Sequence, residues 1–127
     1  MKFLYEIEDC IVGIIVGALV LSPLLLEIPY SAIIFPLAFG IFIFFNILDI
    51  FHCIMDFKGY AKMCTISIIA NVIDIFINMA FLSRLLDVNI PFVTSNILPL
   101  ITPTTTIAIG AYFILFNLWW IVTYGKK

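Results

Sequence analysis

Residues 32–55 read AIIFPLAFGIFIFFNILDIFHCIM and include a single charged side chain, that of Asp49. An α-helix rises about 1.5 Å per residue, so about 20 apolar residues cross the roughly 30 Å hydrocarbon core of a bilayer. The chain of 127 residues is 65% hydrophobic and 11% charged, which is more apolar surface than a water-soluble fold of this size can bury. The sequence therefore predicts an integral membrane protein.

Hydropathy predicts three further membrane helices, at about residues 11–26, 63–86 and 104–124. The connection EIPYS, residues 27–31, is so short that the two helices it joins must be antiparallel neighbours. We expect an all-α integral membrane bundle of four transmembrane helices, which forms a single membrane domain over residues 1–127.

The basic residues predict the orientation, because cytoplasmic loops are enriched in Lys and Arg. If both termini are cytoplasmic, only Arg84 lies near the outer face, and five residues lie inside: Lys2, Lys58, Lys62, Lys126 and Lys127. Trp119, Trp120 and Tyr124 then fall at the inner headgroup level, where amphipathic rings are favoured. Heavy use of Ile and Phe suits an AT-rich genome, so we expect the cell membrane of a prokaryote.

Residues 88–103, VNIPFVTSNILPLITP, are too apolar for an ordinary loop and are interrupted by three prolines. Joined to the last helix they would overshoot the bilayer, so they are expected to fold back or lie flat. Irregular backbone is not tolerated against lipid, which leaves an interfacial cap at the outer end or a re-entrant segment shielded by protein. The cap is the favoured alternative.

Two polar stripes follow the same spacing of i, i+3, i+7 on the second and third predicted helices. FNILDIF, residues 45–51, is repeated as ANVIDIF, residues 70–76, and the stripes consist of Asn46, Asp49 and Cys53, and of Asn71, Asp74 and Asn78. Counting about 1.5 Å per residue from the loop between the helices places the two acids at a similar depth, and Asn117 of the last helix also reaches it. The repeat predicts one polar layer in the inner half of the membrane.

The two acids of this layer are expensive to bury, at about 2.5–3.5 kcal/mol each for a charge in hydrocarbon. No Lys or Arg of the predicted spans lies at that depth, so Asp49 and Asp74 are expected to face the bundle and to share a proton or hold a cation. The amides can help coordinate an ion, which makes the candidate ion or proton site Asp49, Asp74, Asn46, Asn71, Asn78 and Asn117. The alternative is interhelical hydrogen bonding that only fixes packing.

Gly13 and Gly17 lie four residues apart on one face of the first helix and predict close helix packing. The motif leaves open whether the partner helix is internal or belongs to another subunit. The alternative interpretation is that the two glycines have no packing role, because Gly is common in membrane helices.

The leading functional hypothesis is ion- or proton-linked transport, by a homo-oligomer or by a subunit of a larger membrane complex. The alternative is a non-catalytic assembly or scaffold subunit whose polar residues specify helix packing.

No nucleophile has an evident base, which argues against an enzyme. We expect no cofactor and no metal site, because the Cys and His residues lack ligand spacing. Nucleic acid is excluded as a partner by a net charge of −2 without a basic stripe.

Overall fold

The computed structural model describes residues 3–25, 31–55, 57–59 and 61–124. Within these ranges the chain is helical apart from short turns and contains no strand. Its four long helices are α1 (Phe3–Leu25), α2 (Ser31–Met55), α3 (Ala61–Leu86) and α4 (Pro103–Tyr124). The predicted all-α class is confirmed.

Three of the helices are long and apolar enough to cross a membrane, and the stretches concerned are Ile34–Met55, Ala61–Leu86 and Pro103–Thr123. In α1 the apolar part is shorter, Cys10–Leu21. The α1 helix begins at Phe3, whereas hydropathy predicted a membrane helix from about residue 11. Hydropathy missed the first turns because they contain acidic residues. Three helices of this length and composition indicate a membrane protein.

The helices pack as two pairs, α1 along α4 and α2 along α3, and α1 also meets α2. The first pair is antiparallel, since Gly13 lies against Asn117 and Gly17 lies against Gly110. The second pair is antiparallel as well, because the short 57–59 connection joins its helices end to end. By contrast, α3 and α4 do not run in close backbone contact.

Gly13 and Gly17 therefore pack against α4 of the same chain. A Cβ atom added to Gly17 would lie 2.9 Å from the carbonyl oxygen of Gly110 and 2.8 Å from Ile114 Cγ1. Contacts this short leave no room for a side chain, so glycine is what allows α1 and α4 to approach. Of the two partners that the motif left open, the structure shows the internal one.

Aromatic rings fill the core at the end of the bundle where α2 begins and α3 ends. Phe39 stacks on Phe81 with ring centroids 5.0 Å apart, and Phe42 meets Phe113 edge-on at 5.1 Å. Both pairs are buried. This end of the core is therefore apolar and rich in aromatic rings.

At the opposite end a smaller core is formed by Cys10, Met63 and Trp120. Trp120 is only 2% exposed, whereas Trp119 is 46% exposed. The expectation that both indoles lie among lipid headgroups is therefore wrong for Trp120. Successive residues of an α-helix point about 100° apart, so Trp120 projects to a different side of α4 from Trp119.

The proline-rich segment 88–103 folds back along the side of α3. It contains two short helical turns, Val93–Ile97 and Leu98–Leu100. The Phe92 ring lies 6.2 Å from the ring of Phe76, ten residues or about 15 Å inward from the end of α3. Val93 is buried in the main core. These contacts hold the segment against the side of α3, and the choice between an interfacial cap and a re-entrant segment stays a prediction.

Candidate functional site

The six predicted site residues are all buried at helix interfaces. Their exposed fractions are 0% for Asn46, 2% for Asp49, 4% for Asn71, 5% for Asp74, 0% for Asn78 and 4% for Asn117. The polar stripes of α2 and α3 therefore face the bundle and turn away from the lipid side. Their role in binding stays a prediction.

Asp49 and Asp74 line the same cavity, together with the amides of Asn71 and Asn117. The space open to the centre of a water-sized sphere is about 10 Å³, which corresponds to about one water molecule or one small cation. The other lining residues are Cys10, Ser67, Ala70, Phe116 and Trp120. The cavity is thus lined by residues of all four helices.

The two amides at the cavity are anchored to their own helices. Asn71 Nδ2 donates to the carbonyl oxygen of Ser67 at 2.7 Å and to its Oγ at 3.0 Å. Asn117 Nδ2 donates to the carbonyl oxygen of Phe113. A carbonyl acceptor requires the NH₂ group of each amide, so the amide oxygens are the atoms left to accept from, or coordinate, an occupant of the cavity.

Tyr112 of α4 is a further neighbour of the site, because its hydroxyl lies close to the carboxylate of Asp74. The residue pattern did not single it out, since six aromatic residues lie along α4. Only the approach of α4 to the acid of α3 identifies it.

Asn46 of α2 and Asn78 of α3 are two further buried amides between these helices. In the register that stacks Phe39 on Phe81, Asn46 is level with Asp74, and Asn78 lies about one turn closer to the aromatic core. Neither their Nδ2 nor their Oδ1 atoms have a hydrogen-bond partner among the described residues. Each unpaired amide costs about 1–3 kcal/mol, so both are available to a polar occupant.

Among the residues that the structure describes, no Lys or Arg side chain lines the cavity beside the two carboxylates. Cys53 and Cys64 are buried but, across the described ranges, no three His, Cys, Asp or Glu side chains are grouped to hold a metal ion. The charge in the cavity is therefore set by how many protons or cations the acids hold.

No family model, no curated protein and no solved structure matches this chain. What the protein does is inferred from its cavity. Two carboxylates, two amide oxygens, a phenol and a serine hydroxyl are hard oxygen ligands suited to a proton, a hydrated proton or a small cation.

Proposed function

We propose that this protein is a small polytopic membrane protein for ion- or proton-linked transport, with Asp49 and Asp74 as the groups that carry the charge. The observation that carries the proposal is that both carboxylates line one water-sized cavity without a basic residue. Two adjacent buried anions repel each other, so the pair shares a proton or binds a cation. Intramembrane acids of this kind are typical of ion and proton pathways.

The surroundings of the two acids fit a mechanism in which the bound proton or cation exchanges with one side of the membrane and then with the other. Towards the outer half the cavity is separated from the surface by the aromatic core around Phe42 and Phe113. Towards the inner half it is bounded by Cys10 and Trp120. Side chains of α3 and α4, such as Met63 and Trp120, pack beside the cavity, and a change in this packing is the motion proposed to open it.

The proposal includes four membrane spans with both termini on the cytoplasmic side of a prokaryotic cell membrane. Its support is that α1 lies antiparallel along α4, from Cys10 beside Trp120 to Leu21 beside Gly110. If α4 crosses the bilayer, α1 crosses most of it as well. Protease treatment of sealed vesicles tests this arrangement. Tags at both ends should be protected from outside, and one exposed tag would exclude an even number of spans.

A bundle this slim encloses no wide channel, so we propose that it acts as a homo-oligomer or as a subunit of a larger membrane complex. Large apolar side chains on the outer faces of the helices are available to lipid or to other helices, for example Phe44 and Phe51 of α2 and Leu115 of α4, which are 58%, 58% and 64% exposed. Copurification from native membranes tests for stoichiometric partner subunits.

Transport is tested by proton or cation flux in proteoliposomes. The double variant Asp49→Asn with Asp74→Asn should abolish flux, because the amides cannot bind and release a proton. Asp87→Asn is the matched control, since Asp87 follows the end of α3 and is exposed. Flux that survives the double variant unchanged removes the acids from the mechanism.

The rival function is a non-catalytic assembly or scaffold subunit whose polar residues specify helix pairing. It predicts that both Asp→Asn changes preserve complexes. Asn71 and Asn117 do not fit this role, because the donor groups of both bond within their own helices. The contact of Gly13 and Gly17 with α4 also means that this face of α1 is occupied within the chain and is not free for another subunit.

A further inference from the structure

A second cavity lies in the outer half of the bundle, away from the acid pair. Its volume is about 160 Å³, and it is bordered by all four helices. Apolar side chains form most of the lining, including Val20 of α1, Phe39 of α2 and Phe81 of α3. An engineered apolar cavity of about 150 Å³ holds benzene, so this space accepts a stretch of several methylene groups.

The polar border of the cavity is formed by Arg84, the only arginine of the chain, and by Thr106 in the second turn of α4. Arg84 is exposed and two residues from the end of α3. Its Nη2 donates to the carbonyl oxygen of Ile101 at 2.8 Å. A guanidinium has five N–H donors, so others remain for a ligand.

We propose that this cavity binds an anionic phospholipid, with part of one acyl chain between the helices and the phosphate on Arg84. Three observations carry the proposal: an apolar space of methylene-chain size, a cation at its border, and the position of that cation at a helix end, where lipid phosphates lie. The N-terminal end of α4 nearby also favours negative charge through its dipole. The site is independent of the acid pair and of the transport proposal.

The test is native mass spectrometry of the purified full-length protein in detergent. Phosphatidylglycerol and phosphatidylcholine with identical acyl chains are added at equal concentration. The wild type should retain the anionic lipid about fivefold more than the zwitterionic lipid, the ratio expected for one basic residue acting on an anionic headgroup. Glycerol phosphate without acyl chains should not compete, which distinguishes a lipid site from a site for free phosphate.

Variants separate the two parts of the ligand. Arg84→Gln should reduce the retention ratio of phosphatidylglycerol to phosphatidylcholine to about one, and Arg84→Lys should keep part of this preference. Lys58→Gln, near the other end of α3, should leave the ratio unchanged. Leu85→Trp adds bulk at the cavity and should lower the retention of both lipids. Circular dichroism and gel filtration confirm that each variant is folded. Equal retention of the two lipids by the wild type, or an unchanged preference in a folded Arg84→Gln variant, would overturn the proposal.

Discussion

Gly17 of α1 and Gly110 of α4 bring the two helix backbones together. A Cβ atom on Gly17 would lie 2.9 Å from the Gly110 carbonyl oxygen, and a Cβ atom on Gly110 would lie 3.2 Å from the Gly17 carbonyl oxygen. Side chains of Ile114 and Leu21 lie even closer, but the backbone part of the obstacle cannot rotate away as a side chain can. This contact determines how closely α1 approaches α4, and thereby where Asn117 and Tyr112 stand relative to the acids.

Replacement of Gly17 by Ala should lower the free energy of unfolding by about 1–3 kcal/mol, the usual cost of overpacking. The added methyl group would meet Ile114 and the Gly110 backbone. Gly40→Ala is the matched control, because nothing lies within 4 Å of a Cβ at Gly40. Unfolding in mixed detergent micelles measures both variants. Equal stability of the two variants would show that α1 and α4 are not as close as described.

Neutralising both acids should not destabilise the protein. Asn has nearly the shape of a protonated Asp and avoids the cost of about 2.5–3.5 kcal/mol for an ionised carboxylate in hydrocarbon. The free energy of unfolding of the Asp49→Asn, Asp74→Asn double variant is therefore expected within about 1 kcal/mol of the wild type or above it, although its flux is lost. Replacement of a buried functional acid commonly raises stability while it removes activity.

Flux that persists in a folded double variant would favour the scaffold hypothesis, which also predicts that both Asp→Asn changes are tolerated. A double variant that unfolds more easily by several kcal/mol would contradict the expected stability. Thermal unfolding and flux must be measured on the same reconstituted preparation, so that a loss of folded protein is not mistaken for a loss of transport. Asp87→Asn, at an exposed turn, controls for the change of net charge.

The buried amides of Asn46 and Asn78 lead to a separate prediction. Asn46→Leu should raise the free energy of unfolding by about 1 kcal/mol, because it removes an amide without a described partner, a gain partly offset by the larger Leu side chain. Asn71→Leu is the control and should lower stability, since it breaks the two bonds to Ser67. A loss of stability in Asn46→Leu would mean that its amide binds an ordered water molecule or ion.

The burial of the acid site was predictable because helix periodicity is a local property. Residues spaced i, i+3, i+7 share a face in any α-helix, and a face with Asn and Asp is too costly to turn towards lipid. The spacing alone therefore predicted that Asn46, Asp49, Asn71 and Asp74 point inward. The fixed rise per residue is local as well. It converts the number of residues from the loop into a level along each helix, and so predicted similar levels for Asp49 and Asp74.

The remaining features depend on which helices become neighbours, and hydropathy contains no information about that. Gly13 and Gly17 showed that α1 has a close-packing face without showing that α4 occupies it. Tyr112 enters the site only because α4 reaches the acid of α3. Trp120 was misplaced because an indole near a helix end suits an interface or a core equally well, and packing against Met63 decides between them.

The fold-back of residues 88–102 leads to the last prediction, which concerns Thr94. Its Oγ1 lies 2.7 Å from Ser83 Oγ of α3 and accepts the N–H of Ile90 at 2.8 Å. Ser83 Oγ in turn donates to the carbonyl oxygen of Val88 at 2.7 Å. One hydroxyl thus connects the descending part of the segment to α3. Val has nearly the shape of Thr but neither accepts nor donates, so Thr94→Val leaves the Ile90 N–H unpaired, at a cost of about 1–3 kcal/mol.

We expect Thr94→Val to loosen the segment locally without unfolding α3. Amide hydrogen exchange of residues 88–102 should accelerate by roughly tenfold or more, since about 1.4 kcal/mol of local stability corresponds to a factor of ten, while exchange within Ala70–Phe81 stays slow. Thr104→Val is the control, because Thr104 is exposed at the start of α4. If both variants exchange like the wild type, the Thr94 hydroxyl does not hold the fold-back. If the segment lay flat across the bundle end, away from α3, its protection would not depend on Thr94.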